Sequence, residues 1–241
     1  MKGIPDMMPE NVARDRSSGD QEWKAWSEKL ENFVQWRKTT WDGSPAAGDL
    51  AAFANGLKDA FARFTELRDS GKKVVDIGCG DGGVRKFLGD CGYYGVDPLL
   101  IEGHTYDFPM VRGVGEFLPF PDGFFDGAIL NQVLDHCNSV DGMLKEAARV
   151  VGPQGTVNVM QYLFVPESLL TRIYNGLVRV YLAIKGIRTL DTKTRRLDRK
   201  GLEDMFRERF VKVDFLEYSS TQVFIRASGW KMRKGGAEQS L

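Results

Sequence analysis

Residues 74–83, VVDIGCGDGG, bring two carboxylates, Asp76 and Asp81, and four glycines together within ten positions. Asp76 stands among Val74, Val75 and Ile77, which read as a buried strand, and Gly78, Gly80, Gly82 and Gly83 follow as a turn. Without Cβ atoms the backbone can approach a ligand closely, so the segment suits a nucleotide-like cofactor. A further acidic residue, Asp97, closes the run YYGVD at 93–97. Gly78, Gly80 and Gly83 satisfy G-x-G-x-x-G, and Asp97 lies near the ~20-residue offset of the dinucleotide fingerprint. These residues alone do not separate a nicotinamide cofactor from another adenosine-bearing one.

The other reactive groups are few. Of the two histidines, His104 and His136, His136 is the candidate general base, because an imidazole with an unperturbed pKa near ~6.5 can accept a proton at neutral pH. Neither has a convincing Ser or Cys partner for a triad. The three cysteines, Cys79, Cys91 and Cys137, form no CxxC pair, which argues against a zinc knuckle or a disulfide framework and for a reducing, cytoplasmic setting. No metal is expected.

Composition sets the class. With 241 residues, 42% of them hydrophobic and 33 basic against 33 acidic, the chain has length for one large α/β domain with appendages and lacks the charge excess of a dedicated nucleic-acid binder. Asp6 and Glu10 interrupt the start, so no signal peptide is expected. Nowhere do 18 apolar residues run together, so no spanning helix is expected.

Several elements must hold the glycine turn. Trp23, Trp26, Leu30, Phe33 and Val34 recur at helical spacing in an N-terminal arm (1–47), with Trp36 and Trp41 close behind. Leu50, Phe53, Leu57, Phe61, Phe64 and Leu67 predict a second helix, capped by Asp49 and ended by Gly71. After the turn, a short helix over about 83–88 leads to strands at 93–97, 110–114 and 124–131, a helix over 143–151 stopped by Gly152 and Pro153, and a strand at 156–163. Alternating strands and helices imply right-handed crossovers and a mostly parallel sheet covered on both faces. Ligands of such sheets collect at the strands' carboxyl ends, where Asp76, Asp97 and Asn131 fall. A helix over about 199–210 and a closing hairpin over 211–227 complete the domain (48–230), and residues 231–241 read as a flexible tail.

Four blocks resemble the class I S-adenosylmethionine-dependent methyltransferases of the methyltransferase type 11 group: VVDIGCGDGG (74–83), YYGVDP (93–98), GVGEFLPFPDGFFDGAILNQVLDH (113–136) and LKEAARVVGPQGT (144–156). The resemblance covers about residues 72–163. It implies a Rossmann-like, doubly wound, seven-stranded sheet, mostly parallel with an antiparallel last strand. The implied cofactor is S-adenosylmethionine, with S-adenosylhomocysteine as product.

By the same resemblance, Asp76 holds the ammonium end of the cofactor, through water. Gly78 and Gly80 line the path of the methionine and ribose, Asp97 takes the ribose hydroxyls, and Pro98 packs beside the adenine. Asn131 and Gln132 meet the methionine moiety. Cys79, between glycines, is read as packing. Two simpler readings compete: Asp76 as a cap of the turn, and Asp97 as an Asx turn before Pro98. The chain departs from the family pattern G-D-A-E, having Gly113, Val114, Gly115 and Glu116 instead, so recognition of the base falls to backbone groups of Gly115, Glu116 and Phe117, or to a different side chain. The connection from Asp97 to Met110 is too short for the usual crossover helix and is expected to be a loop. His136 occurs at a position where the family tolerates varied acceptors, which favours a structural or cofactor-proximal role over catalysis.

Methyl transfer needs alignment more than machinery, since the sulfonium is already an activated leaving group. The expected acceptor is a small molecule, with oxygen ahead of nitrogen and carbon; an inactive or regulatory cofactor-binding protein is the alternative. Specificity should lie in a helical insertion (about 164–198). Leu169, Leu170, Ile173, Leu177, Val180, Tyr181 and Ile184 recur there at helical spacing, and a basic run from Lys185 to Lys200 follows. A packed helix with a solvated basic loop, a lid meeting an anionic acceptor, and an amphipathic helix on an anionic membrane fit this pattern in that order of preference.

Overall fold

The computed structural model describes residues 3–8, 26, 28–29, 47–69, 71–101, 103–164 and 195–231, with side chains of the first long helix from residue 54 onward. Seven strands form one sheet: β1 (Lys73–Ile77), β2 (Gly92–Asp97), β3 (Met110–Arg112), β4 (Gly127–Asn131), β5 (Thr156–Tyr162), β6 (Phe210–Ser219) and β7 (Gln222–Trp230). Their order is β3-β2-β1-β4-β5-β7-β6. β1 pairs in parallel with β2 and β4, β2 with β3, and β4 with β5. β7 runs antiparallel between β5 and β6. The order reverses between β1 and β4, a switch point whose carboxyl ends diverge into a crevice.

Alternation along the strands divides the core. Val74, Ile129, Met160 and Phe224 face α1 (Ala47–Thr65) and pack on its Leu57 and Phe61. Their neighbours Val75, Leu130, Val159 and Ile225 face the other way, toward Leu144 and Ala147 of α2 (Val140–Val151) and Leu202 and Phe206 of α3 (Arg199–Arg209). Strands apolar on both faces are what a three-layer α/β domain requires. α2 starts where the Ser139 side chain accepts the Gly142 N–H at 3.1 Å and stops at Gly152, φ +65°. α3 starts where Asp198 accepts the Gly201 N–H at 2.7 Å.

Several boundaries differ from the sequence expectation: α2 opens at Val140 rather than Met143, β3 stops at Arg112 rather than Val114, and β4 opens at Gly127 rather than Phe124. α1 already begins at Ala47, so Asp49 lies inside it rather than capping it. The helix ends at Thr65, whose hydroxyl turns back onto the Ala62 carbonyl at 2.8 Å, followed by Glu66 at φ +57°; Gly71, expected to end the helix, lies beyond it at φ +90°. The short helix after the glycine turn is a single 3-10 turn, Arg85–Phe87. Residues 98–109 carry no helix among the described residues, as the short connection implied. Most of the N-terminal arm and of the insertion lies outside the described residues. Phe164 donates its N–H to the Leu197 carbonyl at 2.7 Å, so both ends of the insertion are joined at the carboxyl end of β5.

Candidate active site

The carboxyl ends of β1, β2 and β4 meet at the glycine turn. Gly78 (φ +73°) and Gly80 (φ +57°) occupy the left-handed region, which side-chain-bearing residues seldom adopt. The N–H groups of Gly78 and Cys79 both donate to the Val96 carbonyl, at 2.7 and 3.2 Å, so the chain leaving β1 is folded back on the end of β2. A Cβ on Gly78 would lie 2.6 Å from Cγ2 of Val133; the turn and the segment after β4 pass as close as glycine permits. Cys79 is buried among these groups, and burial pushes its thiol well above its usual range. A buried thiol so held suits packing rather than nucleophilic attack.

Asp76 is 1% exposed. Tyr93, on β2, donates its hydroxyl to Asp76 Oδ2 at 2.5 Å, while Oδ1 has no hydrogen-bond partner. Burial, joined by repulsion from Asp97 and Asp81 and opposed by the Tyr93 hydroxyl and the Lys58 charge, pushes its carboxyl up to about 7. A buried acceptor without a donor is costly in the protein alone, and it fits a site that receives a cation.

Asp97, on the neighbouring strand, holds the turn in place. Its Oδ2 accepts the Gly80 N–H at 2.8 Å and its Oδ1 the Leu99 N–H at 2.7 Å. The second contact is the Asx turn that competed with cofactor binding; the first adds a tie to the glycine turn. Each carboxylate oxygen retains acceptor capacity for a hydroxyl. Pro98 is anchored through its carbonyl, which accepts from Arg112 Nε at 3.3 Å, and Arg112 is itself paired with Asp6 at 2.6 Å.

The 113–120 loop is held by α2. A Cβ on Gly115 would meet Met143 at 2.5 Å and Ile77 at 2.7 Å, so the loop lies tightly against the core. The Glu116 carboxylate is buried, and burial raises its pKa; it accepts the N–H groups of Asn138 and Ser139 at 2.8 and 2.9 Å. That side chain is thus committed to the segment that opens α2. The Phe117 N–H bonds the Val114 carbonyl at 3.2 Å, and its side chain is 51% exposed. Glu146 accepts the Leu118 N–H at 2.9 Å, and Arg149 donates to the carbonyls of Leu118 and Phe120 at 2.9 and 2.8 Å.

β4 delivers Asn131 and Gln132. Asn131 Oδ1 is buried without a hydrogen-bond partner. Gln132 has φ +56° and donates its N–H to the Met160 carbonyl at 2.7 Å; such backbone strain in a side-chain-bearing residue gathers at functional sites. His136 follows one turn later. Its Nε2 lies 3.8 Å from Asp135 Oδ1, and its carbonyl accepts the Trp26 indole N–H at 2.8 Å.

Asp76, Gly78, Cys79, Gly80, Asp97, Pro98, Asn131 and Gln132 thus converge on the ends of three adjacent strands, and Gly115, Glu116 and Phe117 lie on the loop packed between α2 and the end of β1. Sequence reasoning missed Tyr93, Glu146 and Arg149. Tyr93 had one available signal, an aromatic hydroxyl beginning a strand that ends in Asp97; the Glu146–Arg149 pair had none beyond its helical spacing.

A methyltransferase domain family model matches residues 50–209. A sterol 24-C-methyltransferase of Gibberella zeae is 33% identical over 107 residues, 39% of this chain and 28% of that protein. A ubiquinone/menaquinone biosynthesis C-methyltransferase of Pseudomonas paraeruginosa is 30% identical over 142 residues, 51% of this chain and 56% of the other. The chain spans about half the length, or less, of these curated relatives. Among solved structures, magnesium protoporphyrin IX methyltransferase of Synechocystis PCC 6803, with bound SAH (S-adenosylhomocysteine), superposes at TM-score 0.56 and 13% identity, covering 87% of this chain and 100% of that one. This last likeness concerns the fold. With the family match over most of the domain and the glycine turn between two carboxylates, the chain belongs to the class I S-adenosylmethionine-dependent methyltransferases.

Proposed function

We propose that this protein transfers a methyl group from S-adenosylmethionine to a small-molecule acceptor held at the carboxyl ends of β4 and β5. The observation that carries the reading is the pair of buried carboxylates flanking the glycine turn, one with an unpartnered oxygen. Asp76 Oδ1 suits the cofactor's ammonium, and Asp97, already oriented by two backbone N–H groups, suits the ribose diol. Asn131 and the strained Gln132 suit the methionine moiety, and the 113–117 loop with Pro98 suits the base. When bound, S-adenosylmethionine supplies a methyl carbon on a sulfonium, already activated for displacement. The residues of this chain hold it in line with the acceptor, and such alignment can contribute up to ~7 to 11 kcal/mol.

The acceptor atom is read as carbon ahead of the oxygen favoured by the sequence alone, because the relatives cited above are named as C-methyltransferases of sterols and quinones. A carbon acceptor must lose a proton, which gives His136 beside Asp135 a task as base. The test is isothermal titration with S-adenosylmethionine and S-adenosylhomocysteine, followed by a screen for S-adenosylhomocysteine release with demethylated quinols, sterols and phenols. Absence of binding at about millimolar cofactor overturns the reading; binding without turnover on any acceptor class favours a regulatory cofactor-binding protein.

A further inference from the structure

The two edges of the sheet differ. At β3 the edge is covered: the Arg112 N–H donates to the Pro5 carbonyl at 2.9 Å and the Arg112 carbonyl accepts the Met7 N–H at 2.8 Å, so residues 5–7 run beside it as a parallel bridge. The opposite edge is β6, ten residues long, and among the described residues no strand pairs with its outer side. Such a row of main-chain donors and acceptors is a template for another strand. Its side chains suit that use. Val211 is 73% and Leu216 45% exposed, Lys212 is exposed, and Asp214 gives only its Oδ2 to Arg226, at 3.1 and 3.0 Å. A bulge between Glu217 and Ser219 ends the regular stretch.

Two copies of one strand paired antiparallel about a two-fold axis place one residue on that axis, because opposed side chains share a face and faces alternate along the strand. An axis at Lys212 sets two ammonium groups together, and one at Asp214 sets two carboxylates together. An axis at Phe215 puts Val213 against Glu217 and Asp214 against Leu216. Only an axis at Val213 puts Lys212 against Asp214 twice and Val211 against Phe215 twice, all ahead of the bulge. We propose that this edge is the interface between two copies of the chain, joined β6 to β6 in antiparallel register centred on Val213. Opposite charges and aromatic–β-branched pairs are the cross-strand contacts that stabilise such a seam. Val213 and Phe215 already pack on the core shared with α2 and α3, so the apolar row on that face continues from one copy into the other. β7 and β5 separate the seam from the crevice at β1 and β4, and both crevices stay open.

The experiment is sedimentation velocity on the full chain over a dilution series, followed by thiol cross-linking. At about 100 μM chain the wild type should sediment at twice the 27.1 kDa of one copy and dissociate on dilution. Lys212→Glu, at an exposed position that the monomer does not need, sets carboxylate against carboxylate at both crossings and should weaken the dimer about tenfold or more; Lys212→Arg should hold it within about threefold. Val213→Cys tests the register. Residues opposed on the axis lie about 4.5 to 5.5 Å apart at Cα, within disulfide reach, so this variant should cross-link between copies under diamide at least about ten times faster than Val211→Cys, whose neighbour across the seam is Phe215. A wild type that stays a monomer at this concentration, a dimer that Lys212→Glu leaves intact, or equal cross-linking at positions 211 and 213 overturns the proposal.

Discussion

The indole N–H of Trp26 donates to the main-chain carbonyl of His136 at 2.8 Å, joining residues 110 positions apart. Trp26 is 5% exposed, so this part of the N-terminal arm is packed onto the segment that leaves β4 for α2. The bond positions the His136 backbone within the crevice, next to Asp135. Trp26→Phe keeps most of the apolar contact and removes the donor. It should destabilise the fold by about 1 kcal/mol, read by urea denaturation, and lower turnover more than cofactor affinity.

Asp97→Ala removes the carboxylate that accepts from Gly80 and Leu99 and is assigned to the ribose. Cofactor affinity should fall at least about tenfold. Circular dichroism and a titration on the same sample check it. A folded variant with an unchanged dissociation constant would refute the ribose assignment.

Asp76 links pH to both stability and binding. Its folded pKa, near 7, lies above the 3.8 of an unfolded aspartate. The folded state therefore binds the extra proton between these values, and stability falls as pH rises through that window. Asp76→Asn should change little near pH 4 and stabilise the free protein by about 2 to 4 kcal/mol at pH 8, as thermal melts across pH will reveal. Binding has the opposite sign: an ammonium ligand needs the ionised carboxylate, so affinity should rise with pH up to about 7 in the wild type and lose that dependence in the variant. Tyr93, Asp97, Asp81 and Lys58 surround the group, and Tyr93→Phe, which removes a donor to the ionised form, should move the midpoint upward.

Gly78 combines a positive φ with a would-be Cβ contact of 2.6 Å to Val133. Gly78→Ala should cost about 1 to 3 kcal/mol. Val133→Ala should recover only the steric share, because the backbone strain remains; full recovery in the double variant would show that the conformation itself costs nothing.

His136→Ala tests the base. Binding of S-adenosylmethionine should survive, since the backbone contact with Trp26 does not need the imidazole. A loss of turnover of about 10²-fold or more, partly restored at higher pH, assigns proton transfer to His136; unchanged turnover returns it to a packing role.

The class of fold was legible in the chain itself, because it is written in local terms; the cofactor was legible only through the resemblance of four blocks taken together, since the glycine turn alone also fits a nicotinamide. Alternating apolar strands, Gly152 as a helix stop and the run from Asp76 to Gly83 depend on near neighbours and on backbone freedom, and the strands fell where their patterns placed them, with Gly127 rather than Phe124 opening β4. Helix ends were less legible: Asp49 has the chemistry of a cap, yet α1 starts at Ala47.

Tertiary structure decided the rest. That Tyr93 bonds Asp76, that Glu116 is spent on Asn138 and Ser139, that Lys58 lies on Gly83, and that Trp26 reaches His136 are facts about strands and helices brought side by side. No spacing rule relates those partners, because contact across a sheet is set by pairing order and register. The sequence, through the resemblance of its four blocks, pointed to the methyl donor; the folded chain determined that Asp76 is bonded by Tyr93 yet keeps one oxygen without a hydrogen-bond partner, since desolvation and unmet hydrogen bonds exist only once the layers close.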